Sequence, residues 1–258
     1  MSDMFTSSPN CSRQSLAKML GACVCLLALL LITSCTSAQK YFAQPDSDSM
    51  QSVLSSVVAD SFEAKGQAGL ERLDQDATQK FCSTQRNYKN PGSESISTQL
   101  MEKIRLENQS QISPPKDGNY FGDFKRGELL AQDGRGKTWS DPLGSPSGGN
   151  CYNCHQLSKN EVSYGTLGPS LYQYGKLRGI KDIDAFTDKA KQSTSDPIIQ
   201  YTWGVLMNAK AFNLCTVMPR FGVPLNAKVD SHSTAILTEQ QIKDLMALLL
   251  DPRSPVND

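Results

Sequence analysis

Two cysteines three positions apart, followed at once by a histidine, restrict this chain more than any other stretch of it: Cys151-Tyr152-Asn153-Cys154-His155. Thiols at that spacing can both bond to one planar ligand from a single turn of backbone, and the next residue projects its imidazole from the same side. This is the c-type attachment signature, and it predicts one covalently bound haem c whose iron takes His155 as an axial ligand. A structural zinc site would need four ligands, usually a second Cys or His pair. The remaining candidates, Cys82, Cys215 and His232, show no such spacing.

The N-terminus independently predicts export to a compartment where haem is attached. Arg13 and Lys18 precede an apolar run over residues 20–32 that is too short for a comfortable membrane span, so residues 1–34 read as a signal sequence. Its end, Leu31-Ile32-Thr33-Ser34-Cys35, resembles a bacterial lipobox, which predicts lipidation of Cys35 and a periplasmic protein tethered to a membrane by its lipid. The alternative is ordinary cleavage after Thr36-Ser37-Ala38, which leaves a soluble periplasmic chain and discards Cys35.

Cysteine accounting then closes. Of the eight cysteines, Cys11, Cys23 and Cys25 leave with the signal, Cys35 takes lipid, and Cys151 and Cys154 take haem. Cys82 and Cys215 remain, and in an oxidising compartment they are expected to form a disulfide, the alternative being two buried thiols. Charge balances at 26 basic and 26 acidic side chains, so no long-range field favours nucleic acid or an anionic surface as partner.

Residues 35–60 are rich in Ser, Gln and Asp and read as a flexible tether. Residues 61–122 read as an N-terminal helical extension, with one helix over 61–80 around Phe62, Leu70 and Leu73 and another over 97–106. Pro114, Pro115, Gly118 and Gly122 mark the connection into a haem domain over 123–258. There a short helix opens at Gly127, and a C-terminal helix begins after Thr238, whose capping box is completed by Gln241 and which Pro252 stops. The fold class expected is mostly α.

For the second axial ligand, His232 lies in a polar segment, while Met207 and Met246 lie in apolar segments that read as core. Met218 sits in an irregular segment before Pro219-Arg220-Phe221-Gly222, where proline blocks helix and a loop can present sulfur to iron. Met218 is therefore the expected sixth ligand, and His/Met ligation leaves no open position for substrate: the group would carry electrons.

Gly168-Pro169-Ser170-Leu171 resembles the turn of class I cytochromes c. The resemblance implies a class I cytochrome c-like haem domain in which the Pro169 carbonyl orients His155 and Leu171 packs on the haem. A longer resemblance runs from residue 120 to 257. Gly148-Gly149-Asn150 before the haem motif, Gly165-Thr166-Leu167-Gly168-Pro169-Ser170-Leu171, Tyr174-Gly175-Lys176-Leu177-Arg178-Gly179, Ala211-Phe212-Asn213, Met218-Pro219-Arg220-Phe221-Gly222 and the tail Asp251-Pro252-Arg253-Ser254-Pro255 resemble SoxX. That family is the monohaem subunit of the SoxAX thiosulfate-oxidising cytochromes. The resemblance implies a SoxA-type partner, transient contact with the SoxYZ carrier protein, a soluble electron acceptor, and a role as electron-accepting subunit of an L-cysteine S-thiosulfotransferase. A free-standing periplasmic electron shuttle is the alternative. Arg178 and Arg220 are candidates either for the docking surface or for pairing with a haem propionate.

Overall fold

The computed structural model describes residues 47–66, 69–85, 94–136, 138–142, 144–223 and 235–258. Cys35, the whole of the signal sequence and His232 lie outside the described residues. Among the described residues the chain is helical, with no β-strand, and it divides into a first unit ending at Ser61 and a second running from Phe62 to Asp258.

The described part of the first unit is one helix, α1 (Ser47–Ser61), which lies within the stretch expected to act as a flexible tether over 35–60. Met50, Val53, Leu54 and Val57 recur at helical spacing with no glycine or proline between them, and all four are exposed.

In the second unit, the helix expected over residues 61–80 does not form as such. Gly66 takes a left-handed φ of 59°, only Leu70–Leu73 makes a 3-10 turn, and α2 (Ala77–Gln85) starts later. Its start is set by Asp76, whose Oδ1 accepts from the Gln79 amide at 2.8 Å while Gln79 Oε1 accepts from the Asp76 amide at 2.9 Å. The helix expected over 97–106 is longer, α3 (Glu94–Gln109). Both helices belong to the same compact unit as the remainder of the chain.

Four further helices build the rest, each opened by a side-chain cap. These are α4 (Phe124–Gln132) behind Asp123, α5 (Ile183–Lys191) behind Asp182, α6 (Pro197–Asn208) behind Asp196, and α7 (Glu239–Leu250) behind Thr238 with its Gln241 capping box. α5 and α6 had no counterpart in the sequence reading. Helix α7 is buried along nearly its whole length and packs most extensively on α4. Glycine permits that approach: a Cβ at Gly127 would lie 2.2 Å from the Asp244 carbonyl oxygen. Asp244 is buried there, and Arg126 donates to it at 2.8 and 2.9 Å. Trp203 of α6 meets Tyr120 edge-on at 5.2 Å, and its Nε1 donates to the Ser113 carbonyl at 2.8 Å. A buried indole thereby keeps its polar atom satisfied.

Candidate cofactor site

The Cys-x-x-Cys-His segment is shaped by the glycines on either side of it. Cys151–Asn153 forms one 3-10 turn, entered through Asn150 at a left-handed φ of 51°, and the His155 amide donates to the Cys151 carbonyl at 2.9 Å. Before the turn, a Cβ on Gly148 would stand 1.8 Å from the Asp133 carbonyl oxygen. Beyond it, residues 165–171 run alongside the motif, with Gly165, Gly168 and Leu171 amides donating to the carbonyls of Tyr152, Cys154 and Gln156 at 2.9, 2.8 and 2.7 Å. A Cβ at Gly168 would fall 2.1 Å from the His155 ring. Glycine is thus needed where the strip closes on the imidazole, a role the sequence reading did not assign.

That strip fixes the histidine. The Pro169 carbonyl lies 2.7 Å from His155 Nδ1; because a carbonyl only accepts, Nδ1 carries the proton and Nε2 is the nitrogen left with a free lone pair.

A cavity of about 510 Å³ opens beside this segment, within the ~300–1,000 Å³ usual for small-molecule and cofactor sites. Its wall brings together Cys151, Cys154, His155, Pro169, Leu171 and Met218. Met207 and Met246 are not on it: both are buried in the core, and Met207's sulfur packs where a side chain on Gly222 would have to go. Among the described residues Met218 is therefore the one methionine facing the cavity. Its amide donates to Thr216 Oγ1 at 3.2 Å, and the Thr216 carbonyl accepts from Lys210 Nζ at 2.8 Å.

The lining is mostly apolar, drawn from the loops around the motif and Met218 together with α6 and α7; among the described residues Arg178 supplies its one cationic side chain and no carboxylate is part of the wall. The Arg178 guanidinium lies 3.5 Å over the Tyr174 ring and donates to the Tyr174 carbonyl at 3.2 Å. Burial pushes the Tyr174 hydroxyl up from its usual pKa, with Thr202 at 3.0 Å as its hydrogen-bond partner. Burial, with Cys154 as the lesser cause, pushes the Cys151 thiol up to about 12, so as a free thiol it is protonated at neutral pH.

Arg220 stands differently from Arg178. It is buried, not part of the cavity wall, and pairs with Asp76, which removes it from any docking surface. Cys82 and Cys215 are joined as a disulfide. The cofactor fit follows from the donor set. Among the described residues, no three His, Cys, Asp or Glu side chains converge as a lone metal ion would need. Two thiols, an oriented imidazole and a thioether are instead distributed around an apolar space, the layout a planar macrocycle requires.

An uncharacterized lipoprotein of Aquifex aeolicus (strain VF5) is 32% identical to this chain over 186 residues, which covers 71% of this chain and 73% of the relative. The chain belongs to this lipoprotein family. No family model matches it. Among the described residues of this family member, no helix is long and apolar enough to cross a membrane.

Proposed function

We propose that this lipoprotein is a monohaem c-type cytochrome with a class I-like haem domain, working as an electron carrier on the periplasmic side of a membrane to which lipid on Cys35 holds it. The observation that carries the reading is the shared wall of one apolar cavity: Cys151 and Cys154 for covalent attachment, His155 and Met218 for the iron. Haem bound there would supply one-electron transfer. The chain's own residues have three tasks. Cys151 and Cys154 retain the group, the Pro169 carbonyl holds the His155 ring so that Nε2 is presented to it, and the α6 and α7 side chains exclude water. Exclusion of water and a thioether ligand both favour the reduced, less charged form.

The finer proposal is the electron-accepting subunit of a SoxAX-type complex, supported by the sequence resemblance over residues 120–257. Export of the full chain in a host with cytochrome c maturation tests the cytochrome reading. Haem that stays with the polypeptide through denaturing electrophoresis, and is lost in Cys151→Ala/Cys154→Ala, is the expected result. A wild-type product without covalent haem under conditions that mature other c-type cytochromes would refute it.

A further inference from the structure

The loop that bears Met218 is gripped on both flanks by one short helix from the N-terminal part of the second unit. Asp76 does two things at once: Oδ1 caps α2 by accepting from the Gln79 amide at 2.8 Å, and Oδ2 pairs with the buried guanidinium of Arg220. Further along α2, Cys82 is bonded to Cys215. Cys215 precedes Met218 by three residues and Arg220 follows it by two, so both holds fall within a loop that has no helix of its own.

The helix providing these holds is itself moored to the core. Thr78 and Phe81 of α2 are buried. Asn108 Nδ2 donates to Thr78 Oγ1 at 3.0 Å, and Asn208 Nδ2 donates to the Asn108 carbonyl at 3.1 Å. Asn208 ends α6, the helix whose Thr202, Val205 and Leu206 line the cavity. A loop without regular structure would otherwise spread its sulfur over many positions, at an entropic cost each time it met its partner.

We infer that α2 is a clamp for the sixth ligand: Asp76 and the Cys82–Cys215 bond are positioning elements that set the Met218 sulfur on the cavity wall. The N-terminal helices are then a working part of the site. Neither Asp76 nor Cys82 touches the cavity, so both act through the loop. This inference rests on the cytochrome reading.

The test uses the exported, haem-loaded full chain and three forms: wild type, Asp76→Asn, and Cys82→Ala/Cys215→Ala. Asparagine caps a helix as well as aspartate does, so Asp76→Asn removes the negative charge that pairs with Arg220 and spares α2. Two signals are followed on heating and on raising pH: the far-red sulfur-to-iron absorption band, and helix by circular dichroism. In wild type the thermal losses are expected together. In both variants the band should disappear first, by roughly 5 °C or more, and at a lower pH, with the haem still attached. Carbon monoxide binding to the reduced variants should rise as sulfur leaves the iron. Band and helix shifting together by equal amounts in both variants would mean that α2 merely stabilises the fold, and would overturn the inference. Haem missing from the wild type would instead sink the cytochrome reading, and the clamp with it.

Discussion

Single atoms decide much at this site, and Gly168 is the sharpest case. With a Cβ 2.1 Å from one ring carbon of His155 and 2.4 Å from Nδ1, an alanine there must either displace the imidazole or break its 2.7 Å hydrogen bond to Pro169. Overpacking of this kind costs about 1–3 kcal/mol. Gly168→Ala should therefore lower the denaturant midpoint and disturb the histidine–iron signature. Gly179→Ala, at φ 84° with open space around it, should pay only for its backbone, about 1 kcal/mol, and leave the spectrum unchanged. Equal spectra for the two variants would remove the steric account. Residue placement is readable in sequence where the spacing is local: the Cys-x-x-Cys-His motif stands on the cavity wall, and Pro169 at a set offset meets His155. The burial of Arg220 was not, because it depends on Asp76, a partner distant in the chain and carried by a helix whose start was misplaced.

At the scale of elements, caps explain both what was and what was not legible. Thr238 and Gln241 announce α7 because the residues that follow keep one apolar period; Asp76 and Gln79 form the same device, but the glycines upstream and the short apolar content of α2 hide it. The exit of α4 offers a pH test. Asp133 follows that helix, accepts the Asn150 amide through its carbonyl at 3.1 Å, and holds Arg135 at 2.9 Å. The Arg135 guanidinium keeps the Asp133 carboxyl down at about 2, against about 3.9 for an unfolded aspartate. The folded value is the lower one, so its contribution is fully present above about pH 4 and is lost as pH falls toward 2. The pair is open to solvent, which keeps the effect small. Denaturant midpoints recorded between pH 5 and pH 2, roughly the span of the two values, should fall less steeply in Asp133→Asn than in wild type. Identical slopes would show that the pair has no part in holding the strip that leads into Cys151.

Two expectations belong to the whole molecule. If lipid on Cys35 is the tether, Cys35→Ala should release the protein from membranes with its haem spectrum intact; continued membrane association would end the lipid-anchor proposal, and the exposed apolar face of α1 would be the next surface to substitute. The other concerns what the chain can do alone. Joining thiosulfate to a cysteine thiol gives up one proton and two electrons, and needs a thiol to receive the sulfur. Among the described residues the unpaired cysteines are Cys151 and Cys154, both assigned to haem, while Cys82 and Cys215 are spent on each other. Among the described residues no thiol would then remain to serve as acceptor, and on the cytochrome proposal one attachment motif would accommodate one electron of the two. The isolated protein should therefore exchange electrons with a redox dye and leave thiosulfate untouched, and a SoxA-type cytochrome with its SoxYZ carrier should be required for turnover. Arg178, on the cavity wall beside Tyr174, separates the remaining possibilities at that surface. Arg178→Glu should shift the reduction potential if the guanidinium faces a propionate, or weaken complex formation at constant potential if it faces the partner. Thiosulfate-dependent reduction of this subunit with no second cytochrome present would overturn the proposed electron-acceptor assignment.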